Sequence, residues 1–193
     1  MSLLSNLDPL EIIAKYYEPG SDCYRILVRH STDVAEKALA IISHHPELSM
    51  DKDFVYQAAM LHDIGIFLTN APTIHCYGSE PYIKHGILGA ALLRELGLPC
   101  HALVCERHTA SGLTQEEVLH DHLPLPLDRS YEPESLEEKL ICYADCFYSK
   151  THLDNVKTVE QIATGMEKRW AKSGYPAPAA TKQRFLAMHA LFG

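Results

Sequence analysis

The chain has 193 residues, with 17 Lys and Arg against 25 Asp and Glu and a formal net charge of −8. That length fits one domain of about 150 residues with a modest excess. The negative charge argues against non-specific binding of a nucleic-acid polymer or an anionic membrane as the main task.

The predicted elements are helical almost throughout, and no segment alternates with period two. Asp8-Pro9 opens a short helix through Tyr17, stopped by Pro19-Gly20. Ser21 or Asp22 caps a long helix to about His44, with His30, Val34, Ala38 and Ile41 on its buried stripe. A third helix runs from Phe54 to about Ile66, apolar on nearly every face. Residues 69–82, with Pro72, Gly78 and Pro81, read as a long substrate loop or lid, and His75 lies within it. Helices follow from about Ile83 to Leu96 and from Pro99 to His108. Thr114 with Glu117 makes a capping box for the next. The segment from His122 to Glu132 is extended, and Ser135 starts a helix to about Lys150. Two more helices are expected near 158–172 and 179–192, separated by a linker containing Gly174-Tyr175-Pro176.

Composition adds one departure: 12 histidines. Histidine is the commonest metal ligand and titrates nearest neutral pH. There are also 6 cysteines. Cys142 and Cys146 lie one helical turn apart and are able to meet a metal, but small buried residues in a reducing compartment are the better reading. The first residues lack a basic region followed by an apolar run, and no stretch reaches the roughly 18 apolar residues of a membrane span. A cytoplasmic protein with reduced thiols is expected.

The most informative string is Leu61-His62-Asp63-Ile64-Gly65. A buried ionised carboxylate is costly without a partner. A neighbouring helix end or an arginine would satisfy Asp63, and so would a metal ion. His30, His85, His108 and Asp145 also fall on apolar helical runs. Each alone reads as a core residue, but together with the His-Asp pair they suggest convergence on one site.

The order His30, His62-Asp63, His85, His108, Asp145 resembles the HD-domain metal-dependent phosphohydrolase superfamily, and His62-Asp63-Ile64-Gly65 its HDIG subgroup. Arg29-His30-Ser31, His85-Gly86 with Gly89, and Arg107-His108 followed by Gly112 agree with it. The resemblance implies an all-α, single-domain helical bundle over residues 22–150. It is preceded by an N-terminal helix in 1–21 and followed by a helical extension over 151–193. It also implies that His30, His62, Asp63 and Asp145 hold one metal. Asp63, also the catalytic candidate, would bridge to a second metal held by His85 and His108.

Such a ligand set suits two divalent transition metals, Fe, Mn, Co, Ni or Zn. The expected activity is hydrolysis of a phosphate ester, a small phosphorylated metabolite or nucleotide, by metal-activated water. Arg29, Lys84, Arg107 and Lys150 are candidates to bind that anionic substrate. Taken singly, a residue beside a ligand on a helix points about 100° away from it. Ile66 stands where cyclic-di-GMP phosphodiesterases of the related group carry Lys, and the Gly-Tyr-Pro signature is missing from the domain, so that substrate is not expected.

Two other readings remain. HD-type di-iron oxygenases use the same ligand order, and a nucleotide-binding sensor would carry a vestigial site. Apolar helices in the extension would suit a homodimer. The other eight histidines have no assigned chemistry beyond a substrate contact for His75.

Overall fold

The computed structural model describes residues 7–171 and 178–193. The expected linker at Gly174-Tyr175-Pro176 lies outside the described residues. Asp8 caps α1 (Pro9–Ile13) by accepting from the Leu10 amide at 2.8 Å. Ser21 caps α2 (Asp22–His44), its hydroxyl accepting from the Tyr24 amide at 3.2 Å. The face of α2 that is buried runs Leu27, His30, Ser31, Val34, Ala35, Ala38 and Ile42, a helical stripe. Asp51 caps α3 (Lys52–Leu61) through the amides of Asp53 and Phe54.

The next turns depart from expectation. Helix α3 stops at Leu61 instead of running to Ile66, because the imidazole of His62 takes the Ala59 carbonyl, Nδ1 to O 2.6 Å. The chain then turns through Asp63 and Ile64 into a short 3₁₀ segment, Ile66–Leu68. Residues 69–82 do hold strands, though only two short ones: β1 (Asn70–Ala71) pairs antiparallel with β2 (Cys76–Tyr77).

Helix α4 (His85–Glu95) follows a 3₁₀ turn and packs on α5 (Pro99–Arg107). The approach of α4 to the His62 turn is close. A Cβ on Gly65 would lie 2.3 Å from the His85 carbonyl oxygen and 2.4 Å from the Gly89 amide. Glycine at 65 is therefore a packing requirement, and it brings His85 within reach of Asp63.

Thr114 and Glu117 form the expected capping box of α6 (Gln115–His120). Ser135 caps α7 (Leu136–Asp145), which ends at Asp145, one turn earlier than expected. Residues 146–150 are a turn, pinned by Lys157, whose ammonium donates to the carbonyls of Cys146 (3.2 Å) and Tyr148 (3.1 Å).

Helices α8 (Val159–Ala171) and α9 (Pro178–Phe192) pack on each other. Within residues 151–193, Ile162, Phe185, Met188 and Phe192 join the same buried cluster as Val34, Ala58 and Ile141. Phe185 is fully buried, and the Tyr143 hydroxyl lies 2.8 Å from His189 Nδ1. Arg184 pairs with the buried carboxylate of Glu117 at 2.7 Å, tying α9 to α6.

A second cluster, with Ile13, Leu27, Leu61, Ile64, Leu93 and Cys105, lies on the α1, α4 side of the bundle. The six cysteines are free thiols. Among the described residues no helix is long and apolar enough to cross a membrane.

Candidate metal centre

Five elements bring the site together. His30 comes from the middle of α2, His62 and Asp63 from the turn after α3, His85 from the start of α4, His108 from the end of α5 and Asp145 from the end of α7. His30, His62, Asp63, His85 and His108 are buried. Their ligand atoms form two groups that share one carboxylate: His30, His62, Asp63 and Asp145 in one, Asp63, His85 and His108 in the other.

Asp63 divides its oxygens between them. Its Oδ2 lies 3.2 Å from His30 Nε2 and 3.0 Å from His62 Nε2. Its Oδ1 lies 3.4 Å from both His85 Nε2 and His108 Nε2. Asp145 Oδ1 closes the first group, 2.9 Å from His30 Nε2 and 3.6 Å from His62 Nε2.

Three of the imidazoles are oriented by backbone. Nδ1 of His62 faces the Ala59 carbonyl, Nδ1 of His85 the Tyr82 carbonyl and Nδ1 of His108 the Cys105 carbonyl, at 2.6, 2.7 and 2.8 Å. A carbonyl only accepts, so each Nδ1 carries the proton, and in the neutral ring Nε2 keeps its lone pair. His85 Nε2 and His108 Nε2 therefore bring two lone pairs within 3.0 Å of each other. Asp63 Oδ1, His62 Nε2 and both ring nitrogens of His30 are buried without a hydrogen-bond partner. Unpartnered buried acceptors are rare in native proteins. Here Asp63 Oδ1, His62 Nε2 and His30 Nε2 lie with the other ligand atoms in one cluster, which is what ligands to a cation require, so the residues fit a divalent metal.

The electrostatics follow from one buried cluster. Burial alone would raise Asp63 and Asp145, but the ammonium of Lys150, with the imidazoles around them, holds both well below the ordinary carboxylate range. Burial would lower His62, yet Asp63 and Asp145 push it up to about 10. Burial, helped by His108 and Lys150 and opposed by Asp63, drives His85 down to about 3 and keeps it neutral.

The four basic candidates separate. Lys150 Nζ lies 2.5 Å from Asp63 Oδ2 and its side chain is mostly buried. The other three are turned to acids elsewhere. Arg29 is half exposed and pairs with Asp33 at 3.0 Å. Lys84 pairs with Glu80 at 2.7 Å, and Arg107 with Glu138 at 3.0 Å and Glu134 at 3.1 Å. His75 is exposed and turned toward Asp22, its Nδ1 3.8 Å from the carboxylate.

A cavity of about 610 Å³ opens on His85, His108, Asp145 and Lys150. Two of its residues escape a reading of the sequence. Tyr82 stacks on His85, ring centroids 4.7 Å apart, and burial pushes its phenol up to about 12. Lys157 holds the turn that presents Lys150.

The HD domain family matches residues 27–149, from three positions before the first ligand to four after the last. The chain belongs to the HD domain family. With it comes membership of the HD-domain metal-dependent phosphohydrolase superfamily. An uncharacterized protein of Methanocaldococcus jannaschii is 36% identical over 154 residues, 78% of this chain and 81% of that one. A tRNA (cytidine(56)-2'-O)-methyltransferase of Picrophilus torridus is 30% identical over 155 residues. That match covers 75% of this chain but only 40% of the methyltransferase. No solved structure matches the chain. HD domains bind divalent metals, and this one carries buried His and Asp groups able to hold them.

Proposed function

We propose that this HD protein is a metal-dependent phosphohydrolase that cleaves a small phosphate ester with water at a binuclear site. One observation carries the reading: a single buried carboxylate, Asp63, faces two groups of possible ligand atoms, one through each oxygen, beside a cavity. His30, His62, Asp63 and Asp145 would hold one divalent ion, and Asp63, His85 and His108 the other, drawn from Fe, Mn, Co, Ni or Zn. Bound there, the ions would polarise a phosphoryl oxygen and lower the pKa of a water.

The protein's own groups supply the rest. The carbonyls of Ala59, Tyr82 and Cys105 keep three imidazoles in the ligating tautomer. Lys150 brings an ammonium to the cavity, where it offsets phosphate charge at close range. Positive charge is thus local, and a chain of net charge −8 still attracts a small anion. A basic surface for a nucleic-acid polymer forms no part of this reading.

The test is release of inorganic phosphate from a panel of esters by the protein loaded with Mn²⁺ or Co²⁺, under anaerobic conditions. Phosphate release that is abolished in Asp63→Ala supports the proposal. Oxygen uptake with a substrate, and no phosphate from any ester, would move the assignment to the di-iron oxygenases.

A further inference from the structure

The cavity is larger than a phosphoryl group needs. Pockets of about 300–1,000 Å³ enclose whole organic ligands, and this one holds about 610 Å³. Part of its wall lies beyond the matched HD segment, which ends at residue 149, and includes Gln161, Ile162, Gly165 and Met166 of α8 and Thr181 of α9.

Charge is unevenly placed around that wall. Among its described residues the charged side chains are Asp145, Lys150 and Lys157. The ammonium of Lys157 is committed to two backbone carbonyls. Lys150, paired with Asp63 at 2.5 Å, is the cation nearest the ligand cluster and faces an incoming anion there, and α8 contributes the Gln161 amide, an aliphatic chain, a thioether and a glycine.

Gly165 is out of place on structural grounds alone. It lies within α8, where glycine costs about 1 kcal/mol relative to alanine. A Cβ built there meets nothing within 4 Å. Neither close packing nor a left-handed backbone requires glycine at this position, in contrast to Gly65. What its missing side chain leaves is open space on the cavity wall.

We infer that Gly165 is a specificity-determining residue, keeping the α8 wall open for the uncharged organic body of a phosphate ester whose single anionic end lies at the Asp145 and Lys150 end. The inference rests on the phosphohydrolase reading for its choice of ligand, but binding tests it apart from catalysis.

The experiment is anaerobic calorimetry on the full chain loaded with Mn²⁺, using phosphonates, which a phosphohydrolase does not cleave. Methylphosphonate reports the anionic end alone, and the phosphonate isostere of adenosine 5'-monophosphate reports the end plus a neutral body. The wild type is expected to bind the isostere at least about tenfold more tightly, a difference of about 1.4 kcal/mol. Gly165→Leu should erase that preference while leaving methylphosphonate within about twofold, since leucine favours the helix and touches no ligand. Gly165→Ala, which adds one methyl group, should keep most of the preference.

Equal binding of the two probes by the wild type overturns the inference, as does a preference that survives Gly165→Leu. Tighter binding of the same isostere bearing a second phosphate at the 3' position overturns the uncharged body. Failure to release phosphate from any ester, with the binding difference intact, sinks only the catalytic reading.

Discussion

Replacing His108 by Ala takes one donor from the group of Asp63, His85 and His108 and none from the other group. The first group keeps His30, His62, Asp145 and Asp63 Oδ2, with contacts of 2.9 to 3.6 Å. The second is left with one imidazole and one carboxylate oxygen. Changing even a partner behind a ligand costs about 10–100-fold in metal affinity. Losing the ligand itself should weaken the second ion by at least about 100-fold, or about 2.7 kcal/mol. The cost to folding is bounded. The ring is 2% exposed and its Nδ1 donates to the Cys105 carbonyl at 2.8 Å, so removing it costs about 2–3 kcal/mol. Domains are stable by about 5–15 kcal/mol, so the variant should remain folded. Equilibrium dialysis against Mn²⁺ followed by elemental analysis reads the result directly. The wild type should hold two equivalents, His108→Ala one, and Asp63→Ala, which removes the shared carboxylate, none. Equal metal content in the wild type and His108→Ala would refute the two-group reading.

Other substitutions test other links. Gly65→Ala forces a methyl group into the His85 carbonyl and the Gly89 amide at 2.3 and 2.4 Å. It should cost at least about 3 kcal/mol and separate His85 from Asp63, read as a fall in Tm together with loss of metal. Phe185→Ala, in the segment beyond the family match, should destabilise by about 3–5 kcal/mol in denaturant titration; a loss below about 1 kcal/mol would mean that α9 is an appendage. His101 is buried against Phe54 and Gln57, and burial holds its imidazole down at about 4. The unfolded chain therefore binds the proton more readily, so the stability that neutral His101 contributes is lost as pH falls from about 6.5 towards 4. Its share is about 2 kcal/mol by pH 4.5, and His101→Leu should flatten the stability profile over that interval. Lys150→Met should lower kcat/KM for phosphate esters by about 10–100-fold with metal content unchanged.

Much of the centre is legible in the sequence because its residues break a local rule. Asp63 and the histidines are polar residues inside apolar helical runs, and that conflict asks for a common partner. What escapes is whatever depends on a distant carbonyl or a neighbouring backbone. Helix α3 looks continuous to Ile66, since nothing local shows the His62 ring capturing the Ala59 carbonyl. Gly65 looks like part of a motif, whereas its need is the passage of α4 a few ångströms away. The fate of Arg29 and Lys84 was partly readable. Each has an acid four residues away, Asp33 along α2 and Glu80 just before the 3₁₀ turn, and pairs with it. Arg107 finds Glu138 across 31 positions, which no spacing rule anticipates.

The three carbonyls behind His62, His85 and His108 share a register: each belongs to the residue three positions earlier, and those of Ala59 and Cys105 lie in the final turns of α3 and α5. Carbonyls in a final turn lack an intrahelical donor. The imidazoles of His62 and His108 thus act as C-terminal caps of α3 and α5, and the same ring that closes a helix offers its other nitrogen to the centre. The proton map of the site is written in main-chain atoms that every residue type carries. Substitution at 59, 82 or 105 leaves the acceptor in place, so the side chains at those positions are free to diverge while the tautomers persist. Extending α3 or α5 by one turn would reclaim the carbonyl and release the ring.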